Sequence, residues 1–94
     1  MDRLIWSPQA ASDLQSICEF VARDSQEYAR VLAQRIVSVA ESIPRFPKAG
    51  RVVPELDVPE LRERIVGAYR VIYRLRPGTV EIVTILHGAR RLRT

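Results

Sequence analysis

The sequence holds one histidine, His87, so proton transfer would fall to its imidazole or to a carboxylate such as Glu63. Cations are plentiful by contrast. Of the fifteen basic side chains only Lys48 is a lysine, and the planar fork of arginine suits bidentate contacts with phosphate or carboxylate. Arg70, Arg74 and Lys48 are the candidate clamps for a phosphate. Arg70, Arg74, Arg76, Arg90 and Arg91 are the candidate contacts to a partner. Residues 1–43 carry four basic against six acidic side chains, and residues 44–94 carry eleven against five. The second half is therefore the electropositive one, and an anionic partner, whether RNA, DNA or an acidic polypeptide, is expected there.

Other chemistries find little support. The single cysteine, Cys18, falls on an apolar helical stripe and reads as an inert core thiol. No disulfide within the chain is possible, no zinc-like spacing occurs, and neither a metal nor a cofactor is implied. After Met1-Asp2-Arg3 only three apolar residues precede Ser7-Pro8, too few for the core of a signal peptide, and no run approaches the ~20 apolar residues of a membrane span, so the expected location is a reducing cytoplasm, with no membrane partner.

These side chains must be positioned by one domain, residues 1–94, whose size allows a single modest core. Arg3–Trp6 is a short β-prone run, and Ser7-Pro8 supplies an N-cap followed by proline at the first helical position. Ala10, Leu14, Ile17, Cys18 and Val21 then recur at helical spacing. Asp24 with Glu27 has the form of a capping box for a second helix, along which Ala29, Leu32, Ile36, Val39 and Ile43 make the buried stripe. So short a break predicts an antiparallel helical hairpin.

From Pro44 to Pro59 four of the six prolines and Gly50 rule out a continuous helix and predict an irregular crossing loop, with room for one helical turn at Val58–Leu61. Arg62–Val66, Tyr69–Leu75 and Val80–His87 read as an antiparallel meander. In the middle strand Tyr69, Val71, Tyr73 and Leu75 share one face and Arg70, Ile72, Arg74 and Arg76 the other. In the last, Val80, Ile82, Thr84 and Leu86 alternate with Glu81, Val83, Ile85 and His87, so both faces carry apolar residues. The hairpin can cover one face only, which leaves a half-apolar, half-arginine surface for a partner. Trp6 and Phe46 are expected in the core. The fold class is α+β: an N-terminal strand, a helical hairpin, a proline-rich loop and a three-stranded antiparallel meander.

This order of elements, with Trp6-Ser7-Pro8-Gln9-Ala10 leading into Asp13-Leu14-Gln15-Ser16-Ile17, resembles the RelE/ParE toxin superfamily of type II toxin–antitoxin systems. Further matching segments are Pro47-Lys48-Ala49-Gly50-Arg51, Tyr69-Arg70-Val71-Ile72-Tyr73-Arg74 and Ile82-Val83-Thr84-Ile85-Leu86-His87. Together they span nearly the whole chain. The resemblance implies a growth-inhibiting toxin, of the kind associated with plasmid stabilization, neutralised by a cognate ParD-like or RelB-like antitoxin in a hetero-oligomer.

Two mechanisms come with the resemblance. ParE-like members poison DNA gyrase and catalyse no cleavage themselves; RelE-like members cut messenger RNA on the ribosome. Cutting RNA by attack of the 2′-hydroxyl needs a base, an acid and cations on the phosphate. His87 or Glu63 would transfer the proton, with Arg70, Arg74 and Lys48 holding the phosphate. The lysine cluster and C-terminal tyrosine of the RNA-cleaving relatives are missing, however, and His87 followed by Gly88-Ala89-Arg90 resembles the ParE-like ending. The expected function is gyrase inhibition, with the ribosome-dependent endoribonuclease as its alternative. Read without a function, His87 is a strand-end histidine bonding a neighbouring backbone group, Arg70, Arg74 and Arg76 a solvated strand face, and Arg90-Arg91-Leu92-Arg93 a frayed basic tail.

Overall fold

A computed structural model describes residues 2–92. Strand β1 (Arg3–Trp6) leads into helices α1 (Pro8–Ala22) and α2 (Gln26–Ser42), a 3₁₀ turn (Ile43–Arg45) and strands β2 (Arg51–Val52), β3 (Leu61–Val66), β4 (Tyr69–Arg76) and β5 (Thr79–His87). Helix α1 starts as its sequence predicts. The Ser7 hydroxyl accepts the N–H of Ala10 at 3.0 Å, and Pro8 sits where no donor is needed. The second cap is Ser25 rather than Asp24: its hydroxyl accepts the N–H of Tyr28 at 3.0 Å. Asp24 is still part of the turn that closes α1, its N–H donating to the carbonyl of Val21.

The five strands form one mixed sheet in the order β1-β5-β4-β3-β2. The expected meander is its centre, with β3, β4 and β5 antiparallel; β1 adds to β5 in parallel, Arg3 opposite Thr79 and Trp6 opposite Ile82. Gly67 and Gly78, with φ of 57° and 69°, close the two hairpins where a side chain would be strained. Strand β2 is a finding of the structure. Two residues of the proline-rich segment pair with β3, too short a run to show any period in the sequence.

One sheet face packs on the hairpin. Ala10, Leu32, Ile36 and Ala40 meet Val66, Val71, Tyr73, Val80, Ile82 and Ile85, with Ile43 closing the end. The opposite face, expected bare, carries a smaller core of Val53, Leu61 and Ile72 with Leu56, Val83, Leu86 and Leu92 against it. The crossing loop and the C-terminal segment therefore cover much of that face. The loop is tied down by the N–H of Val53 on the carbonyl of Leu61 at 3.0 Å and by the Tyr73 hydroxyl, which donates to Pro47 and accepts from the N–H of Gly50. Two further expectations are corrected here. Val58–Leu61 forms no helical turn, because Leu61 already opens β3, and the turn lies instead at Ile43–Arg45. Phe46 is 70% exposed, since Tyr73 fills the space beneath the loop.

Strand β5 departs from simple alternation. Its register with β4 passes from Ile72 opposite Thr84 to Tyr73 opposite Ile82, leaving Val83 as an extra residue. Beyond the bulge the faces exchange: Ile85 joins Val80 and Ile82 under the helices, while Leu86 joins Val83 on the far side. Helix α1 holds the bulge. Its cap Ser7 donates to the carbonyl of Val83 at 2.7 Å, and the Asp13 carboxylate accepts the N–H of Ile85 at 3.1 Å and the hydroxyl of Thr84. Strand β1 ends opposite Ile82, so these contacts occupy β5 polar groups that have lost their strand neighbour. Among the described residues no helix is long and apolar enough to cross a membrane.

Candidate functional site

The far face of the sheet carries a closed ion cluster. In the β3–β4 register Glu63 lies opposite Ile72 and Ile65 opposite Arg70, so Glu63 and Arg70 are diagonal neighbours on that face. Arg70 donates from Nε to Glu63 at 2.8 Å, and its Nη2 lies 2.6 Å from the same oxygen. Its outer edge grips Glu55 through two parallel bonds of 2.8 Å, and Nη1 also donates to the carbonyl of Arg90 at 2.8 Å. Four hydrogen bonds from the guanidinium, with at least one from each of its three nitrogens, thus end on acceptors inside the chain. The second Glu63 oxygen accepts from Nε of Arg51 at 2.6 Å, and Glu55 also accepts the N–H of Leu92 at 2.9 Å.

Burial and charge reinforce one another in this cluster. Glu63 is 1% exposed and Arg70 5%, a placement that ions tolerate only when paired and fully hydrogen-bonded. The Arg70 guanidinium and then the Leu92 N–H hold the Glu55 carboxyl down to about 2, against an ordinary 4.5. The Arg70 pKa is raised in turn, first by its hydrogen bonds to Glu55, with burial opposing and Glu63 adding. The sequence places Arg70 among free clamps on a solvated strand face. The structure places it in the interior with all three guanidinium nitrogens hydrogen-bonded.

The cluster also fixes the chain end. The N–H of Gly88 donates to the carbonyl of Ala68 at 2.7 Å and the N–H of Arg90 to that of His87 at 2.9 Å, while Arg70 and Glu55 hold residues 90 and 92. As far as Leu92 this is an anchored segment rather than a frayed tail; Arg93 lies outside the described residues. Between it and the crossing loop runs a groove of ≈ 410 Å³ lined by Arg51, Pro54, Glu55, Arg70, Gly88, Ala89, Arg90 and Arg91. Arg90 and Arg91 are exposed at its rim.

The remaining candidates are scattered. His87 lies opposite Tyr69 on the helix side of the sheet, their rings edge-on at 5.7 Å, and its Nδ1 accepts the N–H of Ala89 at 3.3 Å. It shares a second groove, of ≈ 290 Å³, with Asp13, Phe20, Ile85 and Arg90 among others. Glu63 and Arg70 lie on the opposite face. Lys48 is exposed on the crossing loop. Arg74 is half-buried opposite Leu61 and Glu81, and Arg76 makes a 3.4 Å pair with Glu81 at the surface, where such pairs contribute about 0–1 kcal/mol. No group of three or more His, Cys, Asp or Glu among the described residues could hold a metal ion.

Sequence reasoning missed Glu55, Arg51 and Asp13. Glu55 and Arg51 sit in or beside the proline-rich stretch, where no periodicity reveals which way a side chain turns. Asp13 had one usable signal, an acid midway along a helix and only a step off its apolar stripe.

Comparison with known proteins follows the same lines. A family model describing the ParE toxin of the type II toxin–antitoxin system parDE matches residues 4–92. The chain belongs to the ParE toxin family. Within the wider superfamily this ParE-family chain is 33% identical over 91 residues to "Toxin RelE2" of Caulobacter vibrioides, an alignment covering 96% of the chain and 99% of that relative. In fold it is similar to a structure titled "Chromosomal ParDE TA system from P. aeruginosa", with a TM-score of 0.77, 24% identity and coverage of 93% of this chain and 96% of that one. A second likeness is to the YoeB dimer from Staphylococcus aureus, with a TM-score of 0.56, 16% identity and coverage of 88% and 92%. The ParE-family chain is thus a toxin of a type II toxin–antitoxin system, and membership implies a cognate antitoxin as its partner.

Proposed function

We propose that this toxin arrests growth by poisoning DNA gyrase in the cytoplasm, catalyses no reaction itself, and is neutralised by a ParD-like antitoxin in a hetero-oligomer. The observation that carries this reading is the separation of the groups a nuclease would need. His87 is on the helix side, Glu63 and Arg70 neutralise each other on the far face, and Lys48 stands on the loop. A base, an acid and phosphate clamps within reach of one scissile bond are not assembled. What the fold offers instead is surface: exposed Arg90 and Arg91, and apolar side chains standing out from the hairpin at Phe20, Tyr28 and Val31. The test is supercoiling of relaxed plasmid by purified gyrase. Inhibition at micromolar toxin is the expected outcome, and undiminished supercoiling at that excess overturns the reading.

One observation favours a second reading, a ribosome-dependent endoribonuclease. His87 and Arg90 line the same groove beside α1, a proton-transfer group next to a phosphate-binding one. On this reading translation fails before DNA synthesis when the toxin is induced without antitoxin. Following methionine and thymidine incorporation over the first minutes separates the two.

A further inference from the structure

The ion cluster does more than fill the far face of the sheet. It pins the backbone at the Arg90 carbonyl and again at the Leu92 N–H, so the peptide carrying Arg90 and Arg91 is fixed at both ends. Across the groove stands Arg51. Its Nε is on Glu63, but its two terminal amino groups make no hydrogen bond among the described residues, and its side chain is 64% exposed. Neither Arg90 nor Arg91 forms an ion pair among the described residues. Buried Arg70 leaves one unit of the charge of Glu55 and Glu63 uncompensated, and the three rim arginines exceed it by two.

We propose that this groove binds the carboxylates of an acidic polypeptide, with Arg51, Arg90 and Arg91 taking them in forked contacts and Arg70 and Glu55 acting as positioning residues. Within the toxin–antitoxin reading, on which the partner's identity rests, the occupant is an acidic segment of the antitoxin. A nucleic acid suits the groove less. No aromatic ring lines it to stack on a base. Pro54, Gly88 and Ala89 are small enough to admit an extended main chain, and forked arginine contacts select planar oxyanions.

The experiment measures binding of a fluorescein-labelled hexaglutamate peptide to the full chain by anisotropy at low ionic strength, with a hexathymidylate oligonucleotide bearing the same label in parallel. Arg51→Ala, Arg90→Ala and Arg91→Ala should each weaken peptide binding roughly three- to ten-fold, and Arg35→Ala, on α2 and outside the groove, should not. Glu55→Gln tests the positioning role. It removes a negative charge, so attraction by net charge alone would tighten binding, whereas loss of the clasp that presents Arg90 and Arg91 weakens it in a chain whose circular dichroism remains native. Absent peptide binding, equal weakening by Arg35→Ala, or preference for the oligonucleotide through the same arginines overturns the proposal; tighter binding by Glu55→Gln overturns its positioning part. Failure of the toxin reading would show separately, as harmless induction without antitoxin.

Discussion

Arg70 and Glu55 meet edge to edge through two parallel 2.8 Å bonds, fifteen residues apart in sequence and joined across the sheet and the crossing loop. Neither residue sits in an element that would hold the other. The loop is therefore located by charge as much as by the contacts of Val53 and Leu56, and removing Arg70 leaves the largely buried Glu55 carboxylate with no cation beside it. Arg70→Ala is expected to destabilise the protein by about 3–5 kcal/mol in urea unfolding, the usual cost of orphaning a buried ion. Replacing Glu55, Glu63 and Arg70 together by apolar residues of similar volume should cost less than Arg70→Ala alone, because no buried uncompensated charge remains.

The same pair sets an acid limit. A carboxyl at about 2 in the folded chain and 4.5 when unconstrained binds its proton more weakly in the native state. Its contribution is complete above pH 4.5 and is lost as pH falls from there toward 2. Urea midpoints of the wild type should fall across this window. Those of Glu55→Gln should start lower and change less, and parallel curves for the two would exclude Glu55 as the responsible group.

Asp13 shows how a helix can hold a strand edge. Its carboxylate serves the Ile85 N–H and the Thr84 hydroxyl just beyond the bulge, where β1 has ended. Asp13→Ala should cost about 1–3 kcal/mol by leaving these donors without their acceptor. Amide exchange should rise at Ile85 before it rises at Val71, its partner in β4. Uniform acceleration across β4 and β5 would instead point to global destabilisation.

Much of the architecture was legible because its signals are local. Ser7-Pro8 marks a helix start, the stripes through Leu14 and Ile36 repeat at helical spacing, and Gly67 and Gly78 mark the hairpin turns. The cap at Ser25 shows the limit of such signals, since Asp24, Ser25 and Glu27 offer competing caps and the length of α1 decides between them. The far face was not legible for a different reason. Whether Arg70 is solvated or buried depends on Glu55 arriving from an irregular loop, and whether Leu86 faces the helices depends on a bulge at Val83. Both are contacts distant in sequence.

On the gyrase reading His87 has no chemical task, and its edge-on contact with Tyr69 and its bond from the Ala89 N–H are local structure. Growth arrest by induced His87→Ala should match that of the unaltered toxin at equal protein level. Abolished arrest with the protein still folded would transfer the weight to the endoribonuclease reading.

Gly50 is the residue on which the crossing loop is least tolerant of change. Its N–H donates to the Tyr73 hydroxyl at 3.1 Å, and that hydroxyl donates onward to Pro47 at 2.8 Å, so one buried phenol ties two points of the loop to β4. A Cβ at this position would lie 2.6 Å from the carbonyl oxygen of Glu63 and would overlap the Tyr73 hydroxyl. The carbonyl belongs to β3 and has no freedom to retreat, so the strain must be taken up by the loop. Gly50→Ala is therefore expected to cost about 1–3 kcal/mol as an overpacking change. Tyr73→Phe should fall in a similar range for another reason, since the Gly50 N–H and the Pro47 carbonyl each lose a buried partner, at about 1–3 kcal/mol for an unsatisfied group. The double variant separates the two causes. If the phenol is the main obstacle, Tyr73→Phe relieves part of the Gly50→Ala clash and the two losses sum to more than the double variant shows; if the Glu63 carbonyl is the obstacle, they add.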